Sequence, residues 1–149
     1  MKKILLILLL FVPLLLVGCT NKDEKVYLSD KYYNKGAYID IVAKDMDKLK
    51  NDTYLLFVYN QFCNFKIPCD EIFQKVMNEH KVDVLSMSID EYKTTSYFNT
   101  VRYAPTIIVI SKGKVLAYLD ANKDEDLDKY QSPDDFEKWL TEHVYLDKK

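Results

Sequence analysis

Three glycines and four prolines among 149 residues leave little material for tight, backbone-rich ligand loops. With Gly18, Gly36 and Gly113 far apart, no glycine-rich phosphate cradle can be assembled. Arginine is almost absent, Arg102 standing alone, and the formal net charge is −2. Such a chain has no electrostatic reason to bind nucleic acid. The histidines are only His80 and His143, and no Ser/His/Asp set can be argued from their spacing. Internal repeats and low-complexity tracts are missing too, so nothing points to a repeat architecture. The length suits one domain with a true core, and not comfortably two.

What is present begins at the N-terminus. Met1-Lys2-Lys3 is a short positive segment, and Ile4 to Val17 is an uninterrupted apolar run carrying only Pro13. That run has signal-peptide length and falls short of the roughly 20 residues a spanning helix needs. It ends in Leu16-Val17-Gly18-Cys19, which resembles the lipobox of bacterial lipoproteins. The resemblance implies cleavage before Cys19 and attachment of lipid to its thiol. Residues 1–18 are then a signal peptide, and the mature protein is held by lipid on the extracytoplasmic face of the cell membrane. Thr20 to Lys25 is polar and aperiodic, a tether that reaches at most about 20 Å. Residues 19–36 therefore read as lipidated cysteine, tether and strap, ahead of a folded domain over 37–149.

Within that domain, Ala37 to Val42 reads as a strand and Asp45 to Lys50 as a short amphipathic helix. Tyr54 to Tyr59 is a continuous apolar run, the pattern of a central strand buried on both faces. Cys69 to His80 carries Ile72, Phe73, Val76 and Met77 on one helical stripe. Val82 to Ile89 is a second buried strand, and Asp90 to Asn99 a further helix. Thr106 to Ile110 and Val115 to Leu119 form a hairpin across Ser111-Lys112-Gly113-Lys114. Ser132-Pro133-Asp134-Asp135 has the cap, proline and acids of a helix start. The order β-α-β-α-β-α-β-β-α predicts an α/β fold, a mixed central sheet covered by helices on both faces.

Two local features make the chain resemble the thioredoxin family over about residues 37 to 146. The first is Phe57-Val58-Tyr59-Asn60-Gln61-Phe62-Cys63 leading into Pro68-Cys69 and a helix, where that family carries its redox motif. The second is Val101-Arg102-Tyr103-Ala104-Pro105-Thr106 before the last hairpin, where it carries a cis-proline. The resemblance implies a thioredoxin-like fold and a cis Ala104–Pro105 bond facing the cysteines. It further implies Cys63 as nucleophile, Cys69 as resolving thiol, and Ala104 and Phe62 as substrate contacts. The chain departs from the family in three places. Five residues rather than two separate the cysteines, Phe62 stands where tryptophan is usual, and Phe57 stands where many members bury an aspartate.

Apart from Cys19, two thiols remain, and two thiols six positions apart on an oxidising side of a membrane most simply pair. Three uses of Cys63 and Cys69 stay open. They exchange disulfides with exported proteins or with a membrane redox partner, they form a permanent staple in a non-catalytic binding module, or they bind a soft metal. His80, at a helix end, and His143, in the last helix, are poor candidates for a third metal ligand. Asp120 to Asp126 superficially suggests a calcium loop, but its sixth and twelfth positions are Glu125 and Gln131. No cofactor or metal is therefore expected. Tyr27, Tyr32, Tyr33 and Tyr38 are expected to pack as a strap across the sheet edge.

Overall fold

The computed structural model describes residues 25–60 and 68–149. The apolar leader, Cys19, Phe62 and Cys63 lie outside the described residues.

The run 54–59 is the middle of β3 (Thr53–Tyr59), buried along all but its last residue. Around it stand β2 (Tyr38–Asp40), β4 (Val84–Ser88), β5 (Thr106–Ser111) and β6 (Lys114–Tyr118), in the order β2-β4-β3-β5-β6. β2, β4 and β3 run parallel, whereas β5 is antiparallel to β3 and β6 to β5. The β5–β6 turn places Lys112 at φ 49° and Gly113 at φ 76°. Two successive positive φ angles match the twist of the flanking strands.

Pleating sends alternate β3 side chains to opposite faces. Phe57 meets α1 (Cys69–His80), its ring 5.6 Å from that of Phe73, while Tyr54 meets Tyr32 on the other face at 6.1 Å. α1 ends where Lys81 turns left-handed, at φ 57°. α3 (Pro133–His143) lies beside α1, with Ser132 Oγ accepting from the Asp135 amide at 3.3 Å. His80 is the last residue of α1, and its Nε2 sits 2.7 Å from Glu137 Oε1, a tie between these two helices.

Three elements differ from the sequence expectation. The segment 43–49 winds as a 3-10 helix. The expected helix 90–99 is split into α2 (Ile89–Tyr92) and a 3-10 turn over Ser96–Asn99. The Thr94 and Thr95 hydroxyls donate to the carbonyls of Glu91 and Tyr92, competing locally with helix continuation. Finally, β1 (Val26–Tyr27) pairs in parallel with β7 (Val144–Tyr145), a two-residue pairing with no periodicity to announce it.

The strap between β1 and β2 is secured from the core. Gly36, at φ 78°, lies so close to α1 that an added Cβ would fall 2.5 Å from the Met77 carbonyl oxygen. Asp83, 2% exposed, accepts from the amides of Lys35 at 3.1 Å and Ala37 at 2.9 Å and from Asn34 Nδ2 at 3.1 Å. Burial alone would raise the Asp83 pKa, but these donors outweigh it and hold the pKa below its ordinary value. A depressed folded pKa adds stability that is present above the unfolded value and is lost as pH falls through the folded one. Asp83→Asn should thus cost about 1–2 kcal/mol near neutrality, with the difference from wild type shrinking as pH falls below the ordinary carboxylate range and through the depressed folded value. Urea unfolding at a series of pH values measures this. A difference that persists undiminished in acid would reject the electrostatic account.

Candidate functional site

The carboxyl ends of parallel strands are where open α/β sheets place their ligands. Here β2 and β3 end in Asp40 and Tyr59, followed by Asn60, at one rim. A cleft of about 300 Å³ opens there, walled by Tyr38, Phe57 and Tyr59 and reaching Cys69, Asp70, Ser86 and Pro105.

Cys69 is the first residue of α1 and only 2% exposed. The first amides of a helix lack intrahelical acceptors, and together with the dipole they favour negative charge at such a sulfur. Four residues on, Phe73 lies on the same face of α1 and is fully buried. Its ring packs 4.4 Å from Phe136 and 5.7 Å from Tyr130, so the surroundings of Cys69 are apolar on the core side.

The Ala104–Pro105 bond is cis, as the resemblance implied. Pro105 is buried, Ala104 is half-buried, and the carbonyl of Pro105 accepts from the Tyr130 hydroxyl at 3.0 Å. Thr106 Oγ1 donates to the Leu119 carbonyl at 2.5 Å, binding the start of β5 to the end of the hairpin. Burial, followed by the neighbouring Cys69 and Asp126, pushes the Tyr130 pKa far above its ordinary value, so Tyr130 remains a donor. Tyr38 behaves likewise: burial, with Asp70 and Cys69 nearby, raises its pKa, and its hydroxyl donates to the Asp70 carbonyl at 3.0 Å.

The structure thus brings Cys69 and Pro105 into one cleft. Phe57, where the resemblance leads one to look for an aspartate, is an aromatic ring only 5% exposed. Of the four strap tyrosines, Tyr32 is buried and Tyr33 donates to the Tyr145 carbonyl at 2.7 Å. Tyr27 stacks on Tyr145 at 4.2 Å, whereas Tyr38 belongs to the cleft instead of the strap. Sequence reasoning missed Asp40, Ser86 and Tyr130. Ser86 had a signal, being a lone hydroxyl in an apolar strand, while Tyr130, inside an acidic surface segment, had none. Among the described residues no three His, Cys, Asp or Glu side chains cluster closely enough to hold a metal ion.

No family model matches the chain, and no curated protein matches its sequence. Solved structures do match. A thioredoxin from Schistosoma mansoni superposes with a TM-score of 0.50 at 16% identity, covering 72% of this chain and 95% of that one. Thioredoxin f from spinach chloroplast gives 0.48 at 17% identity, covering 74% and 98%. A thioredoxin variant from Halobacterium salinarum gives 0.48 at 18% identity, covering 72% and 94%. The first of these, taken with the strand order above, makes the fold thioredoxin-like: α/β, with a mixed central sheet flanked by helices.

Proposed function

We propose that this protein is a lipid-anchored, extracytoplasmic thiol–disulfide oxidoreductase acting on exported proteins or on a membrane-bound redox partner. Lipid on Cys19 supplies the membrane attachment. Cys63 attacks a substrate disulfide, Cys69 resolves the mixed disulfide, and Ala104 and cis-Pro105 guide the substrate strand alongside Phe62. One observation carries the reading: a buried cysteine at the first turn of a long helix shares a cleft with a cis-proline. Burial suits the resolving role, since a resolving thiol meets only a sulfur already bound to its own chain.

A second reading is favoured by the apolar wall of Phe57 and Phe73 beside that cysteine. In it, Cys63 and Cys69 form a permanent staple in a binding module of the same fold. Equilibration of the full chain with dithiol buffers, read by mass spectrometry of alkylated Cys63 and Cys69, separates the two. Exchange predicts a reduction potential above about −300 mV. A potential well below that value, with no mixed disulfide formed, would establish the staple.

A further inference from the structure

A buried thiol becomes a nucleophile only by losing its proton, so resolution by Cys69 needs a base inside the cleft. The central strand offers none, because its cleft-facing residue at this level is Phe57. The sheet places a carboxylate two strands away. Phe57 is in register with Ser86 on β4, and Ser86 with Asp40 on β2, forming one row across the sheet. Ser86 is 4% exposed, and its hydroxyl donates to Asp40 Oδ1. This bond uses one of about four acceptor sites on the carboxylate. Asp40 and Cys69 line the same cleft, whose volume of about 300 Å³ admits several waters as proton carriers.

The geometry points to Asp40, positioned by Ser86, as the base that receives the Cys69 proton. The assignment rests on the exchange reading above. In the step, the Cys69 S–H proton passes through water to Asp40, and the Cys69 thiolate attacks Cys63 of the mixed disulfide. The Cys63–Cys69 bond forms and the Cys63–substrate bond breaks, with the electron pair leaving on the substrate sulfur. The substrate thiolate then takes a proton, so one substrate disulfide bond is reduced as the two protein thiols are oxidised. The other titratable groups in the cleft or bonded to its lining fit the role less well. Tyr38 donates to the Asp70 carbonyl and Tyr130 to that of Pro105, and both are protonated at neutral pH. Tyr59 is a phenol at the rim, and Asp70, exposed as Asp40 is, has no hydroxyl among the described residues to position its carboxylate as Ser86 positions that of Asp40.

Single-turnover reaction of the reduced full chain with a small aromatic disulfide, followed from pH 5 to 8, tests this. The first released thiol reports attack by Cys63, and the second reports resolution. Asp40→Asn should leave the first step unchanged and slow the second about 100-fold at pH 6. The second step of the variant should depend more steeply on pH than that of wild type, rising tenfold per unit where it relies on hydroxide alone. Asp70→Asn should keep the wild-type profile, and thermal unfolding of Asp40→Asn should match wild type. A flat, fast second step in Asp40→Asn, or an equal loss in Asp70→Asn, would overturn the assignment while leaving exchange intact. A wild-type chain that releases thiol at neither step would overturn exchange and assignment together.

Discussion

Cys69→Ser is expected to stop turnover and to leave the protein joined to its substrate through Cys63. Serine keeps the shape of the side chain, but its hydroxyl is not ionised near neutrality and cannot displace a sulfur. On the proposed exchange reading, attack by Cys63 should be untouched, because it precedes any demand on Cys69. The adduct should therefore accumulate to one equivalent per chain and disappear on adding reductant. Non-reducing electrophoresis with mass spectrometry reads it directly, and multiple-turnover rates should fall to the uncatalysed background. Cys63→Ser should abolish both turnover and adduct. A Cys69→Ser chain that turns over normally, or never forms an adduct, would remove Cys69 from the reaction.

Phe73→Ala should bring the largest loss of stability, about 3–5 kcal/mol. The ring is fully buried where β3, α1, α3 and the 3-10 turn at 124–130 converge. Truncation removes apolar burial and leaves a cavity bounded by the large rings of Phe57, Tyr130 and Phe136. Rigid aromatic walls collapse poorly into such a gap, so the upper half of the range is expected. Guanidinium unfolding should show a lower midpoint with an unchanged slope. A loss under about 1 kcal/mol would mean that the aromatic cluster is not the centre of the core. Since Phe73 lies one turn from Cys69, the same variant should also loosen the apolar side of the cleft.

Much of this architecture was legible in the residues. The run 54–59 announced a buried central strand because no polar position interrupts it, and the stripe Ile72-Phe73-Val76-Met77 marked the covered face of α1. Ser132 with Pro133 fixed a helix start to the residue. What was hidden depends on contacts that no local pattern encodes. The threonine hydroxyls that interrupt residues 89–99 look, in sequence, like ordinary weak helix formers. The β1–β7 pair joins two dipeptides more than a hundred residues apart, too short for any periodicity. At the site, the Pro105 and Cys69 positions followed from their flanking strand and helix. Asp40 and Tyr130 did not, since the place of Asp40 in the cleft and the bond of Tyr130 to Pro105 exist only once β2 and the 124–130 segment have docked.

The pairing of Val26–Tyr27 with Val144–Tyr145 also governs when the protein can finish folding. Contacts so distant along the chain demand closure of nearly the whole polypeptide before they return any free energy. During N-terminus-first synthesis, the leading strap must wait, unclasped, until the last helix has emerged. Completion of the fold is thereby coupled to emergence of both ends of the folded region.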